Sequence, residues 1–345
     1  MSKLKISFII WTALLIILPS QQTVAESNKL KVGITLPLSG AASTYGVALN
    51  QGLQLFLEEH PSEAGNLDFV IDDSQYDGKK VVSSLRKMLS IDKVDLSFVW
   101  GVLPADVAAP IAQQMKAPLI AMTTEAVAKD RSYVAAIQIP LEGLNVALLK
   151  FIVEKNIKSI GIISANFGAA QRWLEILRPT LPNLVFDEVV ADGSTDLQSI
   201  VSRIKRKPVE AVLLLMAPEQ ILALSRAAAT QHFRALAIGG DNFGDDNLRA
   251  EVARAFGKAA YVYGVVDPQF KERYFARFKN ASNIFEAASG YSMGQIFSAL
   301  TKDERRGQAM ISGLVGQKFH TAIGLLEFVA SDNGIKLELI PEVYE

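Results

Sequence analysis

Short runs of consecutive apolar residues, each followed by a window with helical periodicity, recur along this chain and limit the folds open to it. Unbroken apolar strands are buried on both faces, which calls for a parallel sheet covered by helices on both sides. Residues 30–36 read as the first strand and 47–59 as a helix. Strand 67–71, helix 79–89, strand 96–100, helix 105–115 and strand 118–122 follow. In 79–89 the apolar positions Val81, Val82, Leu85, Met88 and Leu89 fall at helical spacing.

After Pro140 the order restarts. Helix 144–154, strand 159–163, helix 169–177, strand 184–189, helix 197–205, strand 211–216 and helix 219–230 are expected, closed by strands 235–238 and 261–265. The predicted fold class is therefore α/β, with two doubly wound parallel-sheet lobes in tandem. Open sheets of this kind bind ligands beyond the carboxyl ends of their strands, so two of them place loops on a shared cleft. A chain of 345 residues, 50% hydrophobic, supplies core enough for two such lobes. The halves resemble one another in pattern and not in residues.

Lys3 and Lys5 precede an apolar run from Ile6 to Leu18, Pro19 and Ser20 break it, and Thr23-Val24-Ala25 follows. The run is too short to span a bilayer, and this arrangement reads as a secretory signal, residues 1–25, cleaved before Glu26. Lys+Arg 35 against Asp+Glu 36 leaves no global field to attract nucleic acid. Cys 0 removes disulfides, thiolate metal sites, Cys nucleophiles and a lipid-anchoring cysteine. His60, His232 and His320 are widely separated, none in a metal-ligand spacing, so neither a metal nor a cofactor is expected. No Walker or GxGxxG spacing occurs, and no nucleophile–base pair can be assembled, so an enzyme is not the expected reading.

Family features then appear in order. Ile34-Thr35-Leu36-Pro37-Leu38-Ser39-Gly40 precedes Tyr45-Gly46 and Asn50-Gln51-Gly52. Asp72-Asp73, Gly101, Phe167-Gly168, Thr195-Asp196-Leu197, Gly239-Gly240-Asp241, Gly290-Tyr291 and Gly324-Leu325 with Asp332-Asn333-Gly334 complete the set. Each is weak alone. Together, at this spacing, the sequence resembles the branched-chain amino acid binding proteins, the type I periplasmic solute-binding proteins of ABC importers. The resemblance implies two lobes joined by a three-strand hinge, with crossings near Pro140, Asp267 and Val329. One lobe is then 28–139 plus 267–328 and the other 140–266 plus 329–345. It also implies a monomer in the periplasm that closes on a small solute, an amino acid or related carboxylate, and docks on a membrane ABC permease. A sensor of the same fold, or a binder of aromatic or aliphatic acids, is the alternative.

The resemblance also carries a site. Thr123 and Thr124, just beyond a strand, would hold the α-groups of an amino acid, and Asp241 would pair with its ammonium, since a buried unpaired charge is prohibitive. Tyr45 and Phe167 match aromatic positions lining the cleft from opposite lobes. The sequence departs from the family at Leu103-Pro104, where a Ser commonly binds the carboxylate, and at Met216-Ala217, where an aromatic side chain is common. Asp72-Asp73 reads as a solvated turn, Asp245 and Asp246 as loop or helix-start residues, and 271–279 as a charged surface helix.

Overall fold

The computed structural model describes residues 29–344 apart from 41, 125, 139, 140, 167, 182, 192, 265, 280–282, 304, 332, 333 and 338–340. The expected signal segment and the Pro140 crossing lie outside the described residues.

The apolar runs do become parallel strands. In the first lobe these are β1 (Leu30–Leu36), β2 (Leu67–Asp73), β3 (Leu96–Trp100), β4 (Leu119–Thr123) and β5 (Val134–Gln138). In the second they are β6 (Ile160–Ala165), β7 (Leu184–Val190), β8 (Ala211–Leu215), β9 (Ala235–Gly239) and β10 (Gly257–Gly264). Strand order is β2-β1-β3-β4-β5 in one sheet and β7-β6-β8-β9-β10 in the other. Every residue of β4 and β8 is buried, while the edge strands β2 and β7 are buried only in part, which accounts for their polar residues. The first strand of each lobe lies between the second and third. Connections therefore diverge between β1 and β3, and between β6 and β8, opening a crevice at those carboxyl ends.

The predicted doubly wound fold is borne out, with differences of detail. Val134–Gln138 was not expected as a strand, because an Ala-rich stretch carries little β-propensity. The Ile284–Thr301 helix is buried almost all round and so lacks an amphipathic stripe to announce it. The Gly78–Lys87 helix continues as a π-helical turn, Met88–Asp92.

After β5 the chain enters helix Leu141–Glu154, which packs on β10 in the second lobe. After β10 it enters helix Pro268–Arg277, tied back to the first lobe's Ser43–Glu59 helix by Arg273–Glu59 and Arg277–Glu58 ion pairs at 3.0 and 2.8 Å. The last return comes later than the Val329 boundary expected. β11 (Lys318–Thr321), β12 (Gly324–Ser331) and β13 (Gly334–Leu337) extend the first sheet, because β12 and β13 pair as a hairpin and β13 runs parallel beside β5. Only β14 (Pro341–Tyr344) joins the second, antiparallel to β10.

Two glycines set the first lobe's outer layer. A Cβ on Gly52 would land inside the Ala287 carbonyl, and one on Gly290 inside that of Leu49. The Ser43–Glu59 and Ile284–Thr301 helices therefore cross with their backbones in contact.

Candidate functional site

In the first lobe, the carboxyl ends of β1 to β4 form one rim of the crevice. Asp73 at the end of β2 organises it. Its Oδ1 accepts from the backbone N–H groups of Leu38 (2.8 Å), Ser39 (3.2 Å) and Gln75 (2.9 Å), and its Oδ2 from the Ser39 hydroxyl. Burial pushes the Asp73 carboxyl up, but the Ser39 hydroxyl and these amides outweigh it and hold the group below the usual carboxylate range. The residue expected in a solvated turn is thus a loop staple. Gln75 and Tyr76 beyond it are both left-handed, at φ 50° and 57°, a costly backbone for bulky side chains.

That backbone brings Tyr76 over Gly101. A Cβ on Gly101 would lie 2.5 Å from the Tyr76 ring and 3.1 Å from its hydroxyl, and Gly101 itself sits at φ 100°. Tyr76 in turn leans on Trp100 at a ring distance of 6.1 Å, and Trp100 stacks on Tyr45 at 5.2 Å with planes 23° apart. Three aromatic rings thus line this rim. Tyr45 alone among them was read as a site residue. Trp100 had a signal, an aromatic ending an apolar strand just before a glycine.

The Val102–Met115 helix begins at this rim. Val102 faces the other lobe, with Cγ1 3.7 Å from the position of a Cβ on Gly168. Leu103 instead turns toward Gly78 and an open depression shared with Val82 and Val107, and Pro104 is buried. Thr123 ends β4 and is buried; the Thr124 hydroxyl oxygen is buried without a partner among the described residues. The Gly101 N–H donates to the carbonyl of Met122, the residue before Thr123, at 2.8 Å.

The second lobe supplies the opposite rim. Phe167 lies outside the described residues, as does the side chain of Asp241, which opens a 3-10 turn, Asp241–Gly244. Asn242, overlooked in the sequence, is the residue that reaches across. Its amide nitrogen donates to the Tyr45 hydroxyl oxygen at 3.1 Å and to the Met216 carbonyl at 3.0 Å. Met216 therefore meets the crevice through its carbonyl, while its side chain is part of the second lobe's core. The missing Cβ of Gly239 makes room for the Phe243 ring. Asp245 caps helix Asp246–Phe256, accepting from Asn247 and Leu248 N–H at 2.8 and 3.1 Å, as a helix-start residue should. Asp246 pairs with Lys271 of the first lobe at 2.5 Å. Burial pushes its carboxyl up, but Lys271 and Arg249 outweigh that and hold it low.

A family model described as periplasmic binding protein matches residues 29–337. No curated protein matches the sequence. Among solved structures, the chain is similar to an ABC transporter solute-binding protein from R. palustris in complex with benzoate, at TM-score 0.75 and 18% identity, over 89% of this chain and 91% of that one. Another, from Rhodopseudomonas palustris BisB5 in complex with 3,4-dihydroxy benzoic acid, gives 0.76 and 18% over 92% of each. The branched-chain amino acid transporter substrate binding protein LivJ from Streptococcus pneumoniae, in complex with isoleucine, gives 0.73 and 17% over 91% of this chain and 99% of that one.

Proposed function

This chain belongs to the periplasmic binding protein family, and on that premise we propose that it is exported, begins at Glu26 once its signal is cleaved, and captures a small carboxylate-bearing solute between its lobes for delivery to an ABC permease. The observation that carries the reading is the Asn242–Tyr45 contact, which joins the two strand-end rims where a doubly wound pair of sheets binds its ligand. The lobes divide in this reading between β5 and the Leu141–Glu154 helix, near Asp267, and between β13 and β14, and they close by hinge rotation. Amino acids are the solutes the sequence resemblance suggests, with Thr123, Thr124 and Asp241 as their partners. Aromatic acids are a second reading, favoured by the Tyr45–Trp100 stack, which offers a flat apolar wall.

A thermal-shift panel of amino acids, aromatic acids and their amides tests the proposal on the exported protein, whose first residue is read by N-terminal sequencing. A saturable shift with one class, accompanied by a smaller scattering radius, supports it. No shift with any small solute, or a mature chain that retains residues 1–25, would refute it.

A further inference from the structure

The Val102–Met115 helix presents its N-terminus to the cleft, and such a terminus normally offers free N–H groups to an anion. Here Tyr76 covers it, with its hydroxyl 3.1 Å from the position of a Cβ on Gly101, the residue just before the helix. The Gly101 N–H donates to Met122, and the first intrahelical bond runs from Ala105 N–H to the Gly101 carbonyl at 3.0 Å. Pro104 has no N–H. The remaining two, on Val102 and Leu103, directly follow Gly101, against which the Tyr76 ring and hydroxyl rest; burial raises the Tyr76 pKa and these amides partly offset it. Tyr76 is pinned there by its left-handed backbone, by the bare face of Gly101 and by Trp100.

Opposite, Asn242 is 4% exposed. Its nitrogen is fixed by the Met216 carbonyl, which can only accept, so its oxygen cannot trade places with it; the Tyr45 hydroxyl also accepts from that nitrogen. That oxygen is buried with no donor among the described residues. A carboxylate there would meet a like dipole, whereas a hydroxyl or N–H would supply the missing donor.

Resting on the solute-binding reading above, we propose that Tyr76 is a specificity-determining residue: it fills the carboxylate seat at the start of the Val102–Met115 helix, so the cleft selects a hydroxyl-bearing aromatic solute by its ring and its hydrogen-bond donor rather than by its negative charge. The ring rests on the Tyr45–Trp100 wall, and its hydroxyl donates to the Asn242 oxygen.

Calorimetry with 4-hydroxybenzoate, its neutral amide, benzoate and leucine tests this on the native protein and on Tyr76→Phe and Tyr76→Gly, each first shown to melt cooperatively. Glycine suits the φ of 57° at this position and empties the seat. In the native protein the amide should bind within about threefold of the acid, and benzoate about tenfold or more weakly than either, because it leaves Asn242 without a donor. Tyr76→Gly should raise the preference for acid over amide by about tenfold, as the helix start that Tyr76 covers becomes open to the carboxylate. Tyr76→Phe, which keeps the ring, should move that ratio less. A native preference for the acid above about a hundredfold, or an acid-to-amide ratio unchanged in Tyr76→Gly, would overturn the proposal. Binding of leucine alone would overturn it while leaving the solute-binding reading intact; no binding by any small solute would overturn both.

Discussion

The contact between Asn242 and Tyr45 predicts a measurable coupling between the lobes. Tyr45→Phe removes the hydroxyl that accepts from Asn242 at 3.1 Å and keeps the ring that stacks on Trp100 at 5.2 Å. A neutral hydrogen bond contributes about 0.5–1.5 kcal/mol net, so the closed state, and with it solute affinity, should weaken about 2- to 12-fold. Asn242→Ala should cost more. It also strips the donor from the buried Met216 carbonyl at 3.0 Å, worth about 1–3 kcal/mol when left unpaired. Tyr45 has contacts besides this one, so neither single change isolates the pair. The double mutant does: calorimetric affinities for the solute identified by the panel should show a coupling of about 0.5–1.5 kcal/mol. Strict additivity, with a coupling under about 0.3 kcal/mol, would mean that the lobes do not meet through this bond in the complex.

Gly290→Ala should destabilise the first lobe by about 3 kcal/mol or more, since the new methyl collides with the Leu49 carbonyl and only helix separation relieves it. Gly65→Ala, at φ −59° with its nearest neighbour 3.4 Å away, is the matched control, and thermal melts should show little change there. Acid should weaken the fold partly through Asp73. Its folded pKa lies below the unfolded value, so its contribution is complete above about pH 5 and is lost as the pH falls through the folded value. Melts from neutral to strongly acidic pH should therefore show a shallower acid slope in Asp73→Ala, together with a lower Tm near pH 7; an unchanged slope would refute the staple role.

The fold was largely legible because parallel strands carry a signal in themselves: 96–100 was read residue for residue, and β4 and β8 within a residue at either end. What escaped was set by tertiary context. Val134–Gln138 is a strand because β4 and β13 flank it, not because alanine favours one. The hairpin of β12 and β13 stays with the first sheet because β13 pairs with β5, a long-range contact that no local pattern reports. Of the candidate site, the sequence pattern reports the strand and helix ends that form the rims, and less of what the side chains there meet. Tyr45, Thr123 and Thr124 fall at strand or helix ends that a topological argument locates. Asn242 and Tyr76 do not, since their placement depends on which acceptor an amide meets across the crevice and on a left-handed backbone two to three residues past a strand.

The magnitudes also bear on what closes the protein. Among the described residues, two polar ties between the lobes are the Asn242–Tyr45 bond and the Asp246–Lys271 pair. The first contributes about 1 kcal/mol. The second has side chains 50% and 32% exposed, and a pair so wet is worth about 0–1 kcal/mol after screening. Moving a two-state equilibrium from about 1:99 to 99:1 takes about 5.5 kcal/mol. These ties supply at most about 2.5 kcal/mol of that by the same arithmetic, so the remainder falls to apolar contacts across the lobes, such as Val102 against Gly168 and Ile284 against Gly244, and to whatever both rims grip at once. An aromatic ring held against Tyr45 and Trp100, with its donor on Asn242, engages both lobes in one stroke. A group bound only to the start of the Val102–Met115 helix would engage one lobe and leave the hinge unbiased.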